Sequence, residues 1–223
     1  MKLIEYADAD MMFIDLAQQI AGEMESMLFH DETVSLAVPG GTTPGPLFDN
    51  LSGADLAWER VFVLPTDERW VPEDNPRSNA GLIRDRLITG RAAAAQYLSL
   101  YEAASEPEET LNVVTGRVAK ALPLSVLILG MGGDMHTASL FPGADRLDDA
   151  LSNEAPPILP MRAPGAPEPR VTLTAPVLKA AMNTHILITG SEKRDAFERA
   201  QKSSAHDAPV AVVLGQATVH WAP

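Results

Sequence analysis

Apolar positions recur at Met12, Leu16, Ile20 and Met24, then at Met27 or Leu28. That is the spacing of one helical face, and it predicts a helix over residues 8–29, capped by Asp8 or Asp10. The pattern then changes. Short, mainly apolar runs follow at 33–38, 61–64, 126–129 and 184–189. Runs of this length, bounded by Gly, Pro or charged residues, suit strands buried on both faces of a parallel sheet. Further strands are expected around Tyr97–Leu100 and Arg170–Thr174, with two closing ones at Val210–Leu214 and Ala217–Trp221. Helices are expected through Leu51, from near Ser78 to Gly90, over Glu106–Leu122, from Pro176, and up to Lys202. Pro156, Pro157, Pro160, Pro164, Pro167 and Pro169 predict a loop over 144–169. Strand and helix alternate almost throughout, which predicts an α/β fold around a mainly parallel sheet, in one domain over residues 1–223.

Composition narrows the partners. The formal charge is −13, from 17 basic and 30 acidic residues. A nucleic-acid binder needs a basic surface, so none is expected as a partner. An anionic small ligand stays possible if cations and backbone N–H groups gather locally. The chain has no cysteine, which excludes thiolate nucleophiles, thiolate metal sites and disulfides. No apolar run reaches the length of a membrane span. The start, MKLIEYADAD, turns acidic too early for a signal peptide. A cytoplasmic protein is the simplest expectation.

The chemistry gathers at three strand ends. Val126–Leu129 runs into Gly130, Gly132 and Gly133, then Asp134 and His136, then small residues that could start a helix. Glycines let backbone approach a ligand, and an imidazole titrates near neutral pH. The strand at 33–38 ends in Pro39-Gly40-Gly41-Thr42-Thr43-Pro44, whose N–H groups and hydroxyls suit a phosphate cradle, although the Walker ending is absent. Asp67-Glu68-Arg69 follows the strand at 61–64; on its own it reads as a solvated loop. His30, His185, His206 and His220 read as structural or exposed, and the Met stripe of the first helix as core packing.

Taken together, Gly40-Gly41-Thr42-Thr43-Pro44, Asp67-Glu68-Arg69 with Ser78-Asn79, and the run from Gly130 to Gly143 resemble the signature set of the 6-phosphogluconolactonase family. Arg170-Val171-Thr172 and Gly190-x-x-Lys193 fit the same resemblance, which covers most of the chain. Two positions depart from it: Thr42 stands where the family usually has serine, and Met135 where it usually has glycine. A positive φ at Met135 would strain the turn by on the order of 1 kcal/mol.

The resemblance implies a modified, Rossmann-like doubly wound α/β fold with helices on both faces. It implies hydrolysis of 6-phosphoglucono-1,5-lactone to 6-phosphogluconate in the oxidative pentose phosphate pathway, without metal or organic cofactor. In that setting His136 is the expected general base, and Asp134 orients either the imidazole or the water. Arg69 could neutralise the developing oxyanion or bind a substrate anion, and Asp67 could fix sugar hydroxyls or Arg69. Gly40, Gly41, Thr42 and Thr43 would cradle the phosphate, with Arg170 and Lys193 as countercharges and Arg77 as a weaker candidate. Ser139 is not expected to be a nucleophile, since G-x-S-x-G is absent. Two rival functions share the fold. An aminosugar-phosphate isomerase/deaminase would need a carboxylate soon after the Asp-x-His, where this chain has Leu140-Phe141-Pro142-Gly143. A non-catalytic sugar-phosphate sensor is favoured only by Met135. A monomer or small homo-oligomer is expected.

Overall fold

The computed structural model describes residues 1–223. Its centre is a seven-stranded sheet in which every neighbouring pair is parallel. The strands are β1 (Lys2–Glu5), β2 (Val34–Val38), β3 (Val61–Pro65), β5 (Gln96–Tyr97), β6 (Val126–Gly130), β9 (Asn183–Thr189) and β10 (Thr218–Ala222), in the order β1-β10-β9-β6-β2-β3-β5. The remaining three, β4 (Asp67–Arg69), β7 (Ile158–Met161) and β8 (Arg170–Leu173), form a small antiparallel sheet in the order β4-β8-β7.

Side chains alternate across a strand, and here both faces are apolar. From β6, Val126 and Ile128 enter one core while Leu127 and Leu129 enter the other. The first core also holds Leu16 and Met24 of α1 (Ala9–Leu28), Leu47 of α2 (Gly45–Ser52) and Ile83 of α3 (Asn79–Arg86). The second holds residues of α4 (Leu111–Val118), α5 (Leu147–Leu151), α6 (Ala175–Lys179), α7 (Ser191–Ala200) and α8 (Ala211–Leu214), together with the small sheet. Helices thus cover both faces, as a doubly wound sheet requires. The α1 stripe at Met12, Leu16, Ile20 and Met24 is fully buried, and Asp8 caps the helix by accepting from the Met11 N–H at 2.8 Å. No helix is long and apolar enough to cross a membrane.

Five expectations are corrected. Val210–Leu214 is helical at α8, not a strand: the buried residues Val210, Val213 and Leu214 recur at helical spacing, which a continuous apolar run conceals. The Pro-rich segment holds α5 and β7. Pro160 is tolerated in β7 because that strand is an edge, paired only with β8. The helix over 106–122 is broken at Thr110, with a short 3-10 turn on each side of α4. Asp67–Arg69 is a strand and not a solvated loop. No helix follows His136 until Leu147, because Thr137 and Leu140 close a tight turn instead.

Candidate active site

The carboxyl ends of β2, β6 and β9 open into one cavity of about 310 Å³, where a parallel sheet presents ligand sites. Its wall includes Gly40 to Thr43, Asp67, Arg69, His136, Arg170 and Lys193, so the separate turns of the sequence converge on one space.

The wall around His136 is built by the loop after β6. Gly132 N–H donates to the His136 carbonyl at 3.0 Å and Met135 N–H to the Gly132 carbonyl at 2.9 Å. The Thr137 hydroxyl donates to the Gly130 carbonyl at 2.9 Å. A Cβ at Gly132 would collide with the His136 ring and the Asp134 carboxylate, so this position must lack one. Met135 takes φ 66°, the left-handed conformation in which a side chain is strained, while its side chain packs on the larger core.

Within this loop His136 Nδ1 lies 2.5 Å from Asp134 Oδ1. An ionised carboxylate only accepts, so Nδ1 carries a proton; in the neutral form of the ring the lone pair then sits on Nε2. Burial pushes the Asp134 carboxyl up, but the hydrogen bond and charge of His136 outweigh it and hold the group below its ordinary range. Of the two roles expected for Asp134, the contact made is with the imidazole.

The opposite wall comes from the small sheet. Its register sets Asp67 across from Thr172 and Arg69 across from Arg170. Two like charges directly opposed on neighbouring strands repel, and the buried Nε of each arginine has no protein partner. Burial, with Arg69 and Arg77 nearby, lowers the pKa of Arg170 below its ordinary value, although Asp67 and Glu168 oppose this. This pair of guanidinium groups is poised for an anion. Asp67 is buried, accepts from the Ser139 hydroxyl at 2.5 Å and lies 3.7 Å from Arg170. It does not hold Arg69, whose Nη1 turns instead to the Arg77 carbonyl at 2.6 Å and Asn79 Oδ1 at 3.1 Å. Arg77 does not line the cavity; its side chain pairs with Glu168.

Glu68, between Asp67 and Arg69, points the other way and is almost fully buried. It accepts from the Ser78 hydroxyl and from the N–H groups of Arg69, Asn79 and Ala80, at 2.7–2.9 Å. Burial pushes its carboxyl up against these bonds. The positive end of α3 is therefore satisfied internally. The starts of α2 and α7 instead border the cavity, at Thr43-Pro44 and at Thr189 and Lys193. Gly41 takes φ 87° and Gly190 φ 81°, turns that glycine makes without strain. Lys193 Nζ donates to the Met131 carbonyl at 2.6 Å.

Sequence reasoning missed the roles of three supports of the site: Asn79, Glu68 and Ser139. Asn79 stood in the quoted signature, but nothing in the sequence announced that its side chain bridges Arg69 and the Asp67 carbonyl, at 3.1 and 2.8 Å. Among the other histidines, His30 and His206 are exposed and His185 and His220 are buried together, away from the cavity.

Comparison with known proteins bears on the fold and the family. Residues 7–221 match the family model described as glucosamine-6-phosphate isomerases/6-phosphogluconolactonase. A 6-phosphogluconolactonase of Rhizobium meliloti is 39% identical over 215 residues, covering 93% of each chain. The crystal structure of a 6-phosphogluconolactonase from Shewanella baltica superposes with a TM-score of 0.96 at 29% identity, covering 100% of this chain and 97% of that one. A monomeric glucosamine-6-phosphate deaminase superposes with a TM-score of 0.81 at 16% identity, which is a likeness of fold alone.

Proposed function

The chain belongs to the glucosamine-6-phosphate isomerase/6-phosphogluconolactonase family, and from that premise we propose a mechanism in which His136 is the base and the far wall of the cavity holds the phosphate. The reaction is hydrolysis of 6-phosphoglucono-1,5-lactone to 6-phosphogluconate, a step of the pentose phosphate pathway. Residues 1–223 act as one domain on this reading, supported by a sheet whose edge pair draws on both chain ends.

One observation carries the mechanism: an Asp134-oriented imidazole faces the same cavity as a glycine–threonine turn and separate cations. His136 Nε2 takes a proton from water as the water oxygen bonds to the lactone carbonyl carbon. The tetrahedral oxyanion is stabilised by Arg69, whose orientation Asn79 fixes. On collapse the bond from the carbonyl carbon to the ring oxygen breaks, and the imidazolium returns its proton to that oxygen. The immediate products are a free hydroxyl and a carboxylic acid, which loses its remaining proton to solvent to give the carboxylate. Gly40, Gly41, Thr42 and Thr43 receive the phosphate, with Arg170 and Lys193 as countercharges. Asp67 holds Arg170 and engages the hydroxyl of Ser139, which on this reading is not the nucleophile.

The deaminase alternative lacks its carboxylate. The first acid after the run is Asp145, which accepts from the Arg162 N–H at 2.8 Å and lies outside the cavity. Ammonia release from glucosamine 6-phosphate would reverse this choice. For the phosphate end, Arg170→Ala and Lys193→Ala should each raise KM for the phosphorylated lactone by about 10–100-fold, the value of one charge-assisted contact, and raise it much less for unphosphorylated gluconolactone. Equal effects on both substrates would remove the phosphate role.

A further inference from the structure

The His136 ring does not hang from Asp134 alone. Its centroid lies 4.2 Å from that of Phe141, with the two planes 28° apart. The Arg170 guanidinium carbon sits 5.2 Å from the centroid of the same phenyl ring. Phe141 is half-buried and does not itself line the cavity. The chain brings it there by a tight turn, in which Leu140 N–H donates to the Thr137 carbonyl at 2.9 Å and Ala138 takes φ 49°. That turn folds residue 141 back onto residue 136.

The two contacts on His136 restrain different motions. The Asp134 hydrogen bond fixes the position of the Nδ1 edge. It leaves the ring free to tilt about that edge. A stacked face removes the tilt and so aims the Nε2 lone pair. The phenyl ring is braced in turn by the guanidinium of Arg170, within the range of cation–π attraction. Resting on the lactonase reading above, we propose that Phe141 is a positioning residue for the reaction: its ring face sets the tilt of the catalytic imidazole.

The test compares Phe141→Leu, which keeps an apolar side chain but no ring face, with Phe141→Tyr, which keeps the face. Rates are measured on freshly generated phosphogluconolactone, and thermal melting is recorded for each protein. Phe141→Leu should lower kcat by about ten-fold, the scale on which a small misplacement of a reacting group acts, with KM changed by less than about three-fold. Phe141→Tyr should keep kcat within about two-fold of the parent, because the stacked face remains. If Phe141→Leu does not fold, Phe141→Met replaces it as the flexible, ringless side chain. Unchanged kcat in the ringless variant overturns the proposal. So does an equal loss in the tyrosine variant, which marks a need for volume, or a rise in KM at constant kcat, which places the ring in service of the anion. A parent protein that does not hydrolyse the lactone refutes the underlying function instead, so the two failures are distinct.

Discussion

Met135 carries its side chain in a left-handed turn beside His136. The sequence marked it as standing where glycine is usual, and its φ of 66° explains why glycine is usual there. The left-handed backbone costs roughly 1 kcal/mol for a side-chain-bearing residue. The thioether offsets part of this by packing on the core. Met135→Gly should therefore change stability little, since relief of strain is set against lost packing and a freer unfolded chain. Met135→Val adds a β-branched side chain to the same φ and should lose about 2 kcal/mol or more. Chemical denaturation of both variants checks this; a valine variant as stable as the glycine variant would show that the turn does not hold residue 135 left-handed. Glu68 makes the opposite point. Nothing in Asp-Glu-Arg distinguishes a buried acid from a solvated one, and only the fold reveals four donors aimed at its carboxylate. Glu68→Ala should cost about 2–4 kcal/mol, because it strands buried donors at the start of α3. A loss below 1 kcal/mol in urea would contradict that accounting.

At the scale of elements, the long strands of the parallel sheet were legible because their apolar runs are bounded and period-free. Among the segments that escaped, three imitate something else: charged β4, proline-bearing β7, and α8, whose apolar run hides its helical spacing; β1 escaped because four residues with charged ends carry too little pattern. A side-chain chain linking α1, β9 and β10 was also invisible to pattern. The Tyr6 hydroxyl donates to Asp15 at 2.8 Å and lies 2.9 Å from His220 Nδ1. His220 Nε2 lies 3.1 Å from His185 Nδ1, and His185 Nε2 lies 2.9 Å from Glu23. Burial, with His185 adjacent, lowers the pKa of His220 to about 3, against the pull of Glu23. Burial pushes Glu23 up, but the hydrogen bond to His185 outweighs it and holds the carboxyl below its ordinary range. Between the ordinary histidine value and about 3 the unfolded chain therefore binds the more protons at His220. Stability must fall as pH drops through this window, by up to about 1.4 kcal/mol per pH unit. Glu23 adds to the loss as pH falls through its lowered folded value. The melting temperature should decline steadily from pH 7 to pH 4, and less steeply in His220→Gln. Equal slopes in the two proteins would remove His220 as the cause.

The whole molecule carries −13, yet the cavity gathers Arg69, Arg170 and Lys193 with the starts of two helices. Cations gathered in one cavity of an otherwise acidic chain fit a small anionic ligand. The fold achieves this by bringing together residues far apart in sequence, from the turn at 40–43 to Lys193. Motif order alone pointed to the constellation, but the positions of Asp67 against Arg170 and of Phe141 against His136 depend on strand register and turn geometry that no local pattern encodes. The claim on which the mechanism rests is that the His136 imidazole, held through Nδ1, activates water through Nε2. The most direct measurement is kcat of His136→Ala on freshly generated phosphogluconolactone, corrected for spontaneous ring opening, with folding verified by melting. The mechanism predicts a fall of about 10²–10⁴-fold, the typical value of a general base, with KM little changed. Near-parental turnover in a folded variant would contradict it.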